Sequence, residues 1–178
     1  PLNLNPKPLH DHGEGFFTWH AYDPSCKAEL WSTAYISPEG IVLFDPIVWP
    51  KDTPRPQSPV QIVKTNSNHD RMANVLWNSL QASVVEKVLG FEAIPLPGAG
   101  ENETAYFHHA SRSLIVGDAL INLSPDPLML LPAKYCTNLD LLKTSLKRLL
   151  ELPTQRIFFA HGTPILQDGV GRLKTVIS

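Results

Sequence analysis

Thr65-Asn66-Ser67-Asn68-His69-Asp70-Arg71 is a polar segment set between two apolar patterns of different period. It follows an apolar run with Val60, Ile62 and Val63. It leads into Met72, Val75, Leu76 and Leu80, which repeat at three-to-four spacing. The run predicts a strand over Val60 to Lys64, and the spacing predicts a helix from about Asp70 to Gln81. A strand that ends in a polar loop and turns into a helix is where α/β folds place chemistry, because side chains there converge on open space.

Outward from that loop, short apolar runs alternate with turn signals. On the N-terminal side, Phe16, Phe17 and Trp19 belong to one strand. Leu30 to Ile36 and Val42-Leu43-Phe44 form a hairpin around Pro38-Glu39-Gly40, and the second strand stops at Asp45-Pro46. Downstream, strands are expected at Ala93 to Leu96, Thr104 to Phe107, Leu114 to Val116 and Arg156 to Ala160. The clearest helix runs from Asn138 to Glu151. Thr137 or Asn138 caps it, Leu139, Leu142, Leu146, Leu149 and Leu150 form its buried stripe, and Pro153 follows its end. Val170 to Ile177 reads as a final short helix. Strand runs that are each followed by a helix predict sheets stacked on one another with helices outside.

Composition narrows the function classes. The 178 residues suit one domain, residues 1–178, with a sizeable core. A hydrophobic content of 43% and a charged content of 18% describe a globular chain. A net charge of -2 supplies no basic excess for phosphates, so nucleic acid is not expected as a partner. No apolar run approaches the roughly 20 residues that span a bilayer, so no membrane partner is expected either. The opening residues, Pro1 to Pro8, lack an apolar core of signal-peptide length, and a cytoplasmic location is the expectation. The 17 prolines gather at 1–8, 46–59 and 125–132 and mark loops there. Cys26 and Cys136 form no CxxC pair and read as idle or buried thiols.

Four segments, in order, resemble the metallo-β-lactamase fold. Leu43-Phe44-Asp45-Pro46 resembles its strand ending in an acidic turn, and Thr65 to Arg71 stands where the family carries Thr-His-x-His-x-Asp-His. Leu114-Ile115-Val116-Gly117-Asp118 resembles the strand whose terminal Asp bridges two metals. Phe158-Phe159-Ala160-His161-Gly162 resembles the late strand bearing the last ligand. The resemblance covers residues 30 to 165. It implies an α/β (α+β) chain built as a four-layer αββα sandwich with its site along one edge of the sheets.

The resemblance also implies two metal sites, and this chain departs from both. The first would use positions 66, 68 and about 99, which hold Asn66, Asn68 and Ala99. The second would use Asp70, Arg71, Asp118 and His161. Zinc and iron need imidazole, thiolate or carboxylate donors, and a neutral amide carbonyl is a poor substitute. A guanidinium stays protonated and has no lone pair to donate. The expectation is therefore that Arg71 takes an ion's place beside Asp70 and Asp118, through bidentate pairing with carboxylates.

Two readings of function follow. In one, the protein is a relative with a degraded metal site, non-catalytic or metal-independent, whose cleft is kept for a small-molecule ligand. In the other, a reduced site still hydrolyses an ester, thioester or lactam with zinc or another divalent metal. Asp70 and His161 are the expected acid–base residues. Arg71, Asn66, Asn68 and His69 are the expected ligand contacts, and Asp118, Asp70 and His161 are the ligands if a metal binds. A metal-free variant uses His161 and an Asp as acid and base, with Arg71 holding an anionic substrate.

Other residues read more plainly. His69 reads as a solvent-facing or capping residue before it reads as a ligand shifted by one place. Asp45 before Pro46 reads as a turn-forming acid. His10, His12 and His20 read as solvated, and at most one of His108 and His109 is expected to look into a site. Glu101 and Glu103 lie in the glycine-rich loop after residue 98, near the expected site. No Gly-x-Ser-x-Gly elbow or Gly-x-x-x-x-Gly-Lys loop is present, so serine hydrolase and P-loop readings lack their parts.

Overall fold

The computed structural model describes residues 3–177. Pro1 and Leu2, part of the Pro-rich start, and Ser178 lie outside the described residues. The chain divides into two compact units: residues 1–64 with 69–88, and residues 65–68 with 89–178. Residues 65–68 thus group with the second unit and residues 69–71 with the first.

The first unit carries a six-stranded sheet. Its strands are β1 (His10–Asp11), β2 (Phe16–Asp23), β3 (Ala28–Ser37), β4 (Gly40–Phe44), β5 (Val60–Val63) and β6 (Ser83–Val84), lying in that order. β1 to β4 run antiparallel, whereas β4–β5 and β5–β6 are parallel. Antiparallel neighbours join by tight turns, but parallel ones need a long crossover. The Pro-rich segment from Asp45 to Pro59 supplies the first crossover, and helix α1 (Ala73–Ser79) lies in the second. Alternation along the strands sends Trp19, Ala21, Leu30, Ala34, Ile41, Leu43 and Ile62 into one core with Met72, Ala73 and Leu76.

The helix is shorter than its periodicity predicts. Arg71 has φ 40°, a left-handed backbone that cannot start a helical turn, so the helix begins only after Met72. Met72 and Leu76 are buried as expected, but Val75 and Trp77 are exposed.

In the second unit, β7 (Phe91–Pro95), β8 (Thr104–His108), β9 (Ser113–Val116) and β12 (Arg156–Phe159) form a four-stranded sheet in the order β12-β9-β8-β7. Between them in sequence, β10 (Leu120–Ile121) and β11 (Met129–Leu130) pair with each other. β12 runs parallel to β9, with Phe159 opposite Val116. Helix α2 (Leu139–Leu146) starts at Asn138, whose side chain accepts from the Leu141 N–H, and continues as a 3-10 turn to Glu151. Leu142, Leu146 and Leu149 enter a core with Phe107, Leu114, Val116 and Ile157, to which α3 (Gly169–Lys174) adds Leu173. The mixed α/β composition of several sheets and few helices agrees with the fold class expected from sequence.

Among the described residues, no helix is long and apolar enough to cross a membrane.

Candidate functional site

In the second unit, strand register brings two of the expected residues together. Val116 lies opposite Phe159 in a parallel pair, so chains that continue two residues further place Asp118 and His161 side by side. His161 Nε2 lies 3.0 Å from Asp118 Oδ1, and the two side chains are 23% and 20% exposed. Such a pair at the carboxyl ends of parallel strands is open enough to meet a ligand. Gly162 makes this turn possible at φ +126°, since a Cβ there would lie 2.1 Å from the Asn122 carbonyl oxygen.

The other oxygen of Asp118 has a different partner. Asn66 Nδ2 donates to Asp118 Oδ2 at 3.0 Å and to Glu103 Oε2 at 2.8 Å, while Asn66 Oδ1 accepts from the Asn68 backbone N–H at 2.9 Å. The Asn68 donor fixes which end of the amide is oxygen. Glu103 Oε1 in turn accepts from the backbone N–H groups of Asp118 at 2.7 Å and Ala119 at 3.1 Å. Asn66 and Glu103 are only 2% and 3% exposed. Gly117 leaves room for this arrangement, because a Cβ there would meet Thr65 Oγ1 at 2.3 Å and Glu103 Oε1 at 2.8 Å. The same loop is tied down by the Thr104 N–H to the Thr65 carbonyl and by the Ser67 N–H to the Glu101 carbonyl.

A second knot of polar residues belongs to the first unit. Asp45 directly follows β4 with φ 48°, and its Oδ2 lies 2.9 Å from His69 Nδ1. Both side chains are buried, at 3% and 6% exposure. Arg71 Nη1 donates to the carbonyl oxygens of Trp31 and Asp45, and the Ser32 hydroxyl donates to the same Asp45 carbonyl at 2.7 Å. Left-handed backbone at both Asp45 and Arg71 is costly for residues with side chains and persists where surrounding contacts over-determine it.

These positions correct several expectations. Asp70 is not a buried acid partnered by Arg71: its side chain is 64% exposed and its carboxylate takes Lys64 Nζ at 2.7 Å. The guanidinium sits on backbone carbonyls, so the Asp70–Arg71 half of the expected cation-for-ion exchange does not form. His69 is neither solvent-facing nor a cap, and Asp45 is more than a turn acid, since each buries its polar end against the other. Asn66 lies inside the protein, whereas Asn68 is exposed as a ligand contact should be. Ala99 is fully buried in the apolar core and offers no donor.

The remaining histidines take other partners. His108 packs on Phe91 and lies 2.7 Å from Ser111 Oγ, while His109 pairs with Glu92. His10 stacks on His12, and His20 pairs with Glu29 and stacks on Trp31. Both cysteines are free, and burial pushes both thiols above their ordinary pKa, which disfavours a thiolate nucleophile.

Glu103 is the residue sequence reasoning undervalued most. Nothing local distinguishes it from exposed Glu101 two places earlier. Only the pairing of β8 with β9 turns its carboxylate toward the Gly117-Asp118 turn.

The amide nitrogen of Asn66 is engaged as a donor to two carboxylates, and an amide N–H has no lone pair for an ion. A guanidinium cannot ligate either, and Asp70 faces Lys64.

The sequence matches no protein-family model and no curated protein at a significant level. Solved structures do match. A metallo-β-lactamase from Pontibacter korlensis superposes with TM-score 0.68 at 13% identity, covering 98% of this chain and 99% of its own. One from Erythrobacter litoralis gives TM-score 0.68 at 11% identity, covering 95% of each chain. A third protein, solved in a di-iron-bound form, gives TM-score 0.58 at 20% identity, covering 84% of this chain and 94% of its own. Likeness over nearly whole chains at such low identity speaks for architecture, and the chain has the metallo-β-lactamase fold.

Proposed function

We propose that this protein is a metallo-β-lactamase-fold relative that works without a two-metal centre, and that it binds a small molecule at the Asp118–His161 pair. The observation that carries the reading is Asn66. In the place of a metal-binding imidazole stands an amide whose nitrogen donates to Glu103 and Asp118. What remains for chemistry is a partly exposed imidazole oriented by a carboxylate, a pair suited to accepting or relaying a proton from a bound hydroxyl or water. Exposed Asn68 is the polar neighbour of that loop best placed to contact a ligand.

The experiment is a thermal-shift screen of small anions, esters and thioesters in EDTA. The reading expects stabilising ligands whose effect is unchanged by EDTA and lost in His161→Ala. Turnover of a lactam or thioester that depends on added zinc would contradict it.

One observation favours a second reading, a hydrolase with a reduced site. Asp118 Oδ1 and His161 Nε2 face each other at 3.0 Å, close to the spacing of two ligands on one ion. One equivalent of zinc, iron or manganese in purified protein, lost in both His161→Ala and Asp118→Ala, would select this reading over the first.

A further inference from the structure

Two carboxylate oxygens, Oε2 of buried Glu103 and Oδ2 of half-buried Asp118, converge on a single atom, Asn66 Nδ2, at 2.8 and 3.0 Å. Carboxylates brought together in a poorly solvated place repel, and one of them protonates unless something positive lies between. A divalent cation is the usual answer, because hard ions gather several oxygen ligands around one point. Here the occupant is neutral, an NH₂ group with one N–H directed at each acid. The other end of the same amide is held by the Asn68 N–H. Glu103 is also neutralised from behind, since its second oxygen accepts two backbone N–H groups at the start of the segment after β9. Three N–H donors to one buried carboxylate replace much of the hydration it lost.

We infer that the Asn66 amide does the cross-linking work of a metal ion, tying Glu103 ahead of β8 to Asp118 behind β9 and so holding Asp118 toward His161. This rests on the reading that no two-metal centre forms. Its consequence is specific. Asn66 is the residue that keeps the acids ion-free, and an oxygen in place of its nitrogen converts the cluster into a site for a hard cation. Glu103 and Asn66 are positioning residues, acting on His161 through Asp118.

Thermal unfolding of the full chain, in EDTA and in excess manganese or calcium, tests this. Wild type is expected to unfold at one temperature in both. Asn66→Asp puts a third carboxylate at the convergence point, and is expected to lose roughly 5–10 °C in EDTA and recover most of it with the ion. Asn66→Ala is expected to lose stability equally in both conditions. If Asn66→Asp does not fold in EDTA, the exchange Asn66→Asp with Glu103→Gln, which swaps acid and amide, is expected to restore folding without an ion.

An Asn66→Asp protein that matches wild type in EDTA and ignores the ion would overturn the inference. So would a wild type stabilised by manganese in a manner that Asn66→Ala abolishes. The first result leaves the proposed function standing, whereas the second, an ion held through Asn66, would overturn both, so the two failures are distinguishable.

Discussion

Two carboxylate–imidazole pairs stand at the ends of parallel strands in this chain, Asp45 with His69 in one unit and Asp118 with His161 in the other. Their separations are alike, 2.9 and 3.0 Å, but their surroundings are not. Asp45 and His69 are almost fully buried, and the adjoining backbone is pinned by Arg71 and Ser32. Asp118 and His161 keep about a fifth of their surface open, and Asp118 is steadied from inside by Asn66 and Glu103. The contrast separates two uses of one device. A sealed pair joins chain segments, while an open pair held by a buried scaffold can meet a ligand. The proposed ligand site accordingly lies at the open pair, while burial of both partners ties the sealed pair to the fold.

The comparison breaks first at Glu103. Glu103→Ala strips the acceptor from Asp118 N and Ala119 N at once and takes one of two acceptors from Asn66 Nδ2. Each stranded buried donor costs about 1–3 kcal/mol, so a loss of about 4 kcal/mol is expected in urea unfolding. A loss under about 1 kcal/mol would mean that the scaffold is not where the open pair gets its rigidity.

Asp45→Ala comes next, at about 3 kcal/mol, since it leaves His69 buried without its carboxylate. His69→Ala is expected to follow at about 2 kcal/mol, losing packing as well as the pair. His161→Ala, from the partly open pair, is expected to cost less than about 1 kcal/mol while abolishing ligand response. Equal destabilisation by His69→Ala and His161→Ala would erase the distinction between sealed and open. The smallest effect belongs to Asp70→Ala, within about 0.5 kcal/mol, because an exposed pair with Lys64 contributes little.

Strand positions could be read in the sequence because apolar runs and turn residues are local signals. Val60 to Val63, Leu114 to Val116 and Arg156 to Phe159 all lie where their apolar runs predict. So does the start of α2, where Asn138 caps. What could not be read locally was which polar side chain turns inward. His69 and Asp70 are neighbours with similar local signals, yet one is buried on Asp45 and the other faces solvent with Lys64. The left-handed backbone at Arg71 decides where the helix begins, and a sequence carries little sign of that for an arginine. Glu103 acquires its role only through strands that pair across the sheet, a non-local fact. That the Asn66 amide bridges Glu103 and Asp118 could not be read locally either.

Metal stoichiometry after saturation with zinc and exhaustive dialysis tests the central claim most directly. Wild type, Asn66→Ala and His161→Ala would be measured side by side by mass spectrometry. The account predicts that wild type retains no two-ion centre and that Asn66→Ala holds no less metal than wild type, because an amide engaged as a donor binds none. Two retained ions, one of them lost with Asn66, would contradict it.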